Sequence, residues 1–143
     1  MNIVNFIPKI FLKHKLINLF CNLRVQDRYT KCVFNKNSSA YIDLLDPEPR
    51  NTFIKKEFEP FFYKIALSFL PKTGLFFDLG ANMGLCTFGL IQQRPEVKYH
   101  LFEANQQLVD LISKSIGLPE NNKSKIFNNF GCLSTVSGFS HFN

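Results

Sequence analysis

The apolar and polar residues in the first part of the chain follow a helical pattern and then a strand pattern. Within residues 3–23 the apolar positions recur at helical spacing after Pro8, which predicts a helix. Two β-prone runs, residues 29–34 and 40–45, flank a turn-rich stretch and predict a hairpin. The proline-rich residues 46–49 predict a linker, because the residue before a proline avoids the helical region.

A helical pattern over residues 52–70 leads into the second half of the chain, and its main segment is expected to begin at Pro60, since proline suits the first helical turn. Residues 75–77 are apolar throughout, which is typical of a parallel strand buried on both faces. The elements predicted after them are a helix over 83–93, a strand over 97–102, a helix capped by Asn105 and closed by Gly117, a weaker strand over 125–130 and a short strand over 138–142. This alternation predicts an α/β fold with a doubly wound parallel sheet, preceded by a helix and a hairpin.

The most specific pattern is the turn between the first predicted strand of this sheet and the helix after it, Asp78-Leu79-Gly80-Ala81-Asn82-Met83-Gly84. Asp78 lies at the carboxyl end of the strand, where open α/β sheets bind ligands. Gly80 and Gly84 allow backbone to approach a ligand closely. A second acid, Glu103, ends the next strand, where a carboxylate can accept hydrogen bonds from both hydroxyls of a ribose. Together they indicate an adenosine-containing cofactor, with a plain loop as the alternative.

The position of the acid favours one cofactor over another. Dinucleotide-binding turns have the pattern G-x-G-x-x-G and place a pyrophosphate at the helix N-terminus. Here Asp78 precedes the first glycine, where its charge would repel phosphates and attract a cation. S-adenosylmethionine carries an ammonium group and a ribose and has no phosphate. The spacing therefore favours S-adenosylmethionine over NAD, with Asp78 near the amino group, Glu103 on the ribose, and Gly80, Asn82 and Gly84 forming the turn around the cofactor.

Three segments in order, FFDLGANMGLCTFGL, YHLFEANQQLVDLI and NNFGCLSTVSGFSHFN, resemble the FkbM-type methyltransferases. The resemblance covers about residues 57–143. It implies the first half of a Rossmann-like class I methyltransferase sheet, S-adenosylmethionine as cofactor, and methyl transfer to an oxygen of a sugar, a glycan or a small metabolite. Two positions depart from the family pattern: Ala104 replaces a usual proline, and Thr135 replaces a usual aspartate.

The resemblance also implies the set of cofactor-binding residues. The segment 129–134 is expected to flank the adenine. The full set is Asp78, Gly80, Ala81, Asn82, Gly84, Glu103, Ala104, Asn129 and Leu133. No catalytic residue can be named, because a base that activates the acceptor would normally come from the second half of such a sheet. Glu59 resembles a family glutamate in position, but a charge at a helix N-terminus is the favoured explanation.

The chain of 143 residues has a net charge of +6, and the excess is concentrated near its start. Residues 1–25 contain Lys9, Lys13, Lys15 and Arg24 and no acid. This segment is predicted to pack on the domain, to pair with another chain, or to lie on a membrane surface, and no nucleic-acid partner is expected. The four cysteines have no metal-ligand spacing, so we expect reduced thiols and no metal site. The expected location is cytoplasmic, with a membrane-peripheral location through residues 1–25 as the alternative.

The predicted organisation is a basic amphipathic helix over residues 1–25, a hairpin and linker over 26–50, and a partial cofactor-binding domain over 51–143. The family's sheet contains further strands, so the chain is expected to be a fragment or truncated product that holds the cofactor-binding half. The alternatives are an inactive remnant or interaction module and, less favoured, an NAD-dependent oxidoreductase. The sequence does not indicate the methyl acceptor or the oligomeric state.

Overall fold

The computed structural model describes residues 9–23, 28–122, 125–135 and 138. In chain order its elements are α1 (Lys9–Leu23), β1 (Tyr29–Phe34), β2 (Ser38–Asp43), α2 (Pro47–Lys55), α3 (Pro60–Phe69), β3 (Gly74–Leu79), α4 (Leu85–Leu90), β4 (Val97–Glu103), α5 (Gln106–Ile116) and β5 (Lys125–Phe130). β1 and β2 pair antiparallel, and β3, β4 and β5 form a parallel sheet with β4 in the centre. The predicted α/β class, with a helix and a hairpin ahead of the parallel strands, is confirmed.

Within the described residues, helices cover one face of the parallel sheet and leave the other open. Val97, Tyr99 and Leu101 of β4 are fully buried in the core that α4 and α5 also line. On β3, by contrast, the exposed fractions of Leu75, Phe77 and Leu79 are 57%, 53% and 55%. The prediction that residues 75–77 are buried on both faces is therefore wrong, because no element of the described residues lies over the second face of β3. The expectation that a chain holding half of the sheet leaves its first strand at an edge is confirmed for the described sheet.

The uncovered face is apolar and basic. Its side chains, called here the open sheet face, are Leu75, Phe77, Leu79, Lys98, His100, Phe102, Lys125, Phe127 and Asn129. The His100 ring stacks between two phenylalanines, with its centroid 5.3 Å from that of Phe77 and 4.6 Å from that of Phe127. The aromatic rings on this face thus pack against each other across all three strands.

The hairpin packs against the helices rather than the sheet, so the described fold has a third layer. The backbone N–H of Tyr41 donates to Ser115 Oγ on α5 at 2.8 Å. The fully buried Asn121 side chain donates to the carbonyls of Ser39 and Ser115, at 2.9 and 2.8 Å. The Tyr41 N–H and the Ser39 carbonyl, which point away from the hairpin ladder, thus find partners, and the bonds to Ser115 fix the hairpin across α5.

The predicted linker over residues 46–49 is wrong, since α2 begins there. Asp46 is the N-cap of α2, its side chain accepts from the backbone N–H of Glu48 at 3.1 Å, and Pro47 follows at the first helical position. Prolines in the first turn cost little, because the N–H groups there have no partner within the helix. The residues 52–70, predicted as one helical stretch, therefore belong to two helices. Lys56 and Glu59, whose φ angles are positive, lie between them. α3 begins at Pro60, as predicted.

The remaining elements follow the predictions with small differences. Asn105 caps α5 as predicted, its side chain accepting from the backbone N–H of Gln107 at 2.9 Å. Gly117 follows α5 but has φ −68°, so it does not act as a left-handed cap. α4 is shorter than the predicted 83–93. The predicted strand over 138–142 lies outside the described residues except for Gly138. Among the described helices, none is both long and apolar enough to cross a membrane.

Candidate functional site

The turn between β3 and α4 is fastened to the end of β4. The backbone N–H groups of Gly80 and Ala81 both donate to the carbonyl of Phe102, at 2.9 and 3.0 Å. Three residues of the turn have left-handed dihedrals, with φ of 72° at Gly80, 53° at Asn82 and 75° at Gly84. This sequence of dihedrals suits two glycines and an asparagine, because these residues tolerate positive φ best.

The two glycines of the turn serve different purposes. A Cβ on Gly84 would lie 2.7 Å from a ring atom of Phe88 and 3.1 Å from Leu101, so close packing inside the core excludes a side chain there. A Cβ on Gly80 would meet no atom of the described chain within 4 Å. Gly80 therefore leaves open space at the carboxyl end of β3, where a ligand can approach the backbone.

Glu103 connects three segments at this edge of the sheet. Its Oε2 accepts from the backbone N–H of Asn82 at 2.8 Å, and its Oε1 accepts from that of Asn105 at 2.9 Å. Its backbone carbonyl accepts from the N–H of Gly131 at 2.9 Å. The carboxylate is thus held in one orientation. Each oxygen has a second lone pair, so the group can still accept hydrogen bonds from a ligand.

Asp78 is a half-buried acid in the middle of the site. Thr87 Oγ on α4 donates to Asp78 Oδ2 at 2.7 Å. Burial raises the pKa of the Asp78 carboxyl above its ordinary value, and the hydrogen bonds from Thr87 lower it in part. Among the described residues the salt bridges join Arg28 to Asp43 and Lys31 to Glu120, and neither reaches Asp78. A cationic ligand would therefore stabilise the ionised form of Asp78.

The other predicted site residues are placed less directly. Ala81 is buried in the core, and Ala104 is half-buried in the loop that leads to α5. The Asn129 side chain donates to the carbonyls of Leu101 and Phe127, at 3.0 and 3.2 Å. Its amide group therefore links β4 to β5 and is not directed into open space. Leu133 follows β5 and is 64% exposed. The structure thus brings Asp78, Gly80, Asn82, Gly84 and Glu103 together and leaves Asn129 and Leu133 at the margin.

Sequence reasoning missed Thr87, which is fully buried and holds the Asp78 carboxylate. Its signal was a single polar residue in the apolar stretch 85–91. Sequence reasoning also missed Tyr63 of α3, whose hydroxyl donates to the carbonyl of Leu85 at 2.7 Å and so positions the start of α4.

Burial raises the pKa of the Cys86 thiol to about 12, so this side chain stays neutral near Asp78.

Glu59 lies at the N-cap of α3 and is exposed, and its side chain makes no capping hydrogen bond. Burial is the largest cause that raises the pKa values of Tyr63 and Cys86. The negative charge of Asp78 raises both further, and that of Glu59 has a smaller effect in the same direction. The site is therefore acidic on the α3 side as well. Within the described ranges, no group of three or more His, Cys, Asp or Glu side chains is arranged to hold a metal ion.

No protein-family model, no curated protein and no solved structure matches the chain.

Proposed function

We propose that this chain binds S-adenosylmethionine and belongs to an S-adenosylmethionine-dependent methyltransferase acting on a hydroxyl of a sugar, a glycan or a small metabolite. One observation carries the proposal. Two acids, Asp78 and Glu103, lie at the carboxyl ends of adjacent parallel strands, with an open glycine turn between them. Open α/β sheets bind their ligands at this edge.

The donor set fits the cofactor. The ammonium group of its methionine moiety suits Asp78, a half-buried acid whose pKa is raised by burial. The ribose suits Glu103, whose oxygens are oriented by Asn82 and Asn105 and keep lone pairs for sugar hydroxyls. The backbone at Gly80 is open to the ligand, and Asn129 and Leu133 would flank the adenine.

When bound, the cofactor supplies the electrophilic methyl group for an in-line displacement. The residues described here would bind and orient it, and orientation accounts for much of the rate of such a reaction. The rigid attachment of the turn to Phe102 and Glu103 limits the ways in which the cofactor can lie. No described residue is assigned as the base that takes the acceptor's proton.

The test is a calorimetric titration of the chain with S-adenosylmethionine and, separately, with NAD. Glu103→Ala is expected to weaken S-adenosylmethionine binding about 10- to 150-fold, because a charge-assisted hydrogen bond contributes roughly 1.5–3 kcal/mol. The matched control is Glu96→Ala, since Glu96 is an exposed glutamate in the loop before β4. Gly80→Val places a β-branched side chain in the open space at a residue with φ of 72°, so it also strains the turn, and it should abolish binding.

Each outcome decides between the functions considered. Unchanged affinity in Glu103→Ala would remove the ribose assignment. Preferential binding of NAD would indicate an oxidoreductase. Binding of neither cofactor by the folded parent chain would leave the interaction module as the better interpretation.

A further inference from the structure

Helix α1 contacts the rest of the described chain through one face. Ile17 is half-buried against the hydrophobic core. The guanidinium of Arg50 on α2 donates from Nε to His14 Nδ1 at 3.2 Å. His14 and Ile17 are three residues apart and so share a face of the helix. These contacts determine which side of α1 is turned outward.

The outward side of α1 is apolar. Its exposed residues, called here the outer face of α1, are Phe11, Leu12, Lys15, Leu16 and Leu19, which recur at helical spacing. The four apolar members are 50%, 50%, 56% and 59% exposed in that order. Large side chains seldom cluster in this way on a surface that meets only water.

Lysines lie within and beside this apolar strip. The Lys15 ammonium lies 4.9 Å from the centroid of the Phe11 ring, and Lys13 is exposed at the edge of the strip. Residues 9–23 contain no acid. Long lysine side chains can rest their methylene groups on an apolar surface while the ammonium reaches outward to negative charge.

The charge decides which partner fits. A second copy of α1 would bring lysines against lysines, and the open sheet face carries Lys98 and Lys125 and no acid, so neither surface complements α1. An anionic lipid surface offers both apolar depth and negative charge. We propose that α1 docks the protein on an anionic membrane surface, lying in the plane of the interface with its outer face inserted. The proposal uses no residue of the cofactor site.

The experiment is co-sedimentation of the full chain with vesicles of phosphatidylserine and phosphatidylcholine, compared with vesicles of phosphatidylcholine alone. Binding is expected for the anionic vesicles and is expected to fall in 1 M salt, where the Debye length is about 3 Å. The double variant Lys13→Glu, Lys15→Glu should lose at least about tenfold in partition coefficient. The control Lys64→Glu, Lys72→Glu makes the same charge change at exposed lysines elsewhere and should bind almost as the parent chain does.

A second variant, Leu16→Ser, Leu19→Ser, tests the apolar contribution and should also lose vesicle binding. Equal binding to neutral vesicles, or equal losses in the two lysine variants, would overturn the proposal. If the leucine variant changed the oligomeric state measured by light scattering and left vesicle binding intact, the outer face would belong to a contact between copies. Thermal melts of each variant establish that the fold is retained.

Discussion

Asp78 is an acid at a position where ionisation is unfavourable in the free protein. The side chain is half-buried, it accepts a hydrogen bond from Thr87, and burial raises the pKa of its carboxyl. A group whose folded pKa is raised above its unfolded value favours the folded state only while it is protonated. The presence of an acid at position 78 is therefore explained better by binding of a ligand than by a contribution to the stability of the fold.

Asp78→Asn should stabilise the protein and prevent cofactor binding. The amide oxygen can still accept the Thr87 hydrogen bond, and the cost of burying a charge is removed. The parent chain should lose stability as pH rises above the ordinary pKa of aspartate, near 4, because Asp78 then ionises more readily in the unfolded state than in the folded state. The difference in melting temperature between the variant and the parent chain should therefore grow over this range and level off above the raised pKa of folded Asp78. Thermal melts over this pH range measure the difference.

Asp110→Asn is the control, because Asp110 is exposed on α5 and accepts only from Gln106 in the described contacts. Its melting temperature at neutral pH should stay close to that of the parent chain, because the side chain is exposed. If Asp78→Asn were destabilising at neutral pH, Asp78 would have a structural partner in its ionised form, and the ligand interpretation would lose its main support.

The sequence predicted the site residues best where the chemistry is local. Asp78, Gly80 and Gly84 belong to one turn, so their grouping follows from the order of residues alone. Glu103 could be added because adjacent parallel strands end at the same edge of a sheet. Thr87 could not be identified in the same way, since its contact with Asp78 depends on how α4 turns toward β3, which tertiary packing decides.

Among the elements, α3 and α4 depend on each other most directly. Tyr63 of α3 donates its hydroxyl proton to the Leu85 carbonyl at the start of α4. Its ring lies so close to Gly89 that a Cβ there would come within 2.2 Å of ring atoms. A side chain at position 89 would push α3 away from α4, the helix that follows the glycine turn.

Gly89→Ala should therefore destabilise the protein even though alanine is the better helix former. Overpacking of this kind costs about 1–3 kcal/mol, which exceeds the gain of about 1 kcal/mol from helix propensity. Gly117→Ala is the matched control, because Gly117 has negative φ and its added Cβ would lie 3.5 Å from the Lys114 carbonyl, an ordinary contact. Chemical denaturation measures both variants. A neutral Gly89→Ala would mean that α3 can shift without cost.

Element boundaries were predicted well where a capping residue or an apolar run marks them, as at Pro60, Asn105 and β5. The start of α2 was missed because two prolines so near each other suggest a linker, while the Asp46 cap and the first-turn position of Pro47 make them compatible with a helix. The conformational preference of proline alone predicts a linker there, whereas the observed N-cap at Asp46 begins a helix.

At the scale of the whole molecule, the open sheet face is the feature that sequence patterns describe least well. An apolar strand indicates burial on both sides, but the described chain covers only one. Burial depends on what lies over a strand, and local pattern contains no information about that. The aromatic stack across Phe77, His100 and Phe127 offsets only part of the exposure.

Replacing Leu75 and Leu79 with threonine should make the protein more soluble and reduce its binding of a hydrophobic fluorescent dye. Both side chains are more than half exposed, and threonine also favours strands, so the free energy of unfolding should change by less than about 0.5 kcal/mol. Dye fluorescence and urea denaturation measure the two effects. A loss of roughly 2 kcal/mol or more would show that these side chains are covered in solution.

The three-layer arrangement also affects how the chain folds during synthesis. The Asn121 side chain donates a hydrogen bond to Ser39, 82 residues earlier in the chain, and Tyr41 donates to Ser115, 74 residues later. A ribosome adding about 5–20 residues per second would expose the hairpin about 4–16 s before its last contacts exist. During that interval the hairpin strands can pair and the earlier helices α2 and α4 can begin to cover them, but the part of the hairpin that packs on α5 stays exposed. The nascent hairpin is thus only partly covered, and can be bound by chaperones, until α5 emerges.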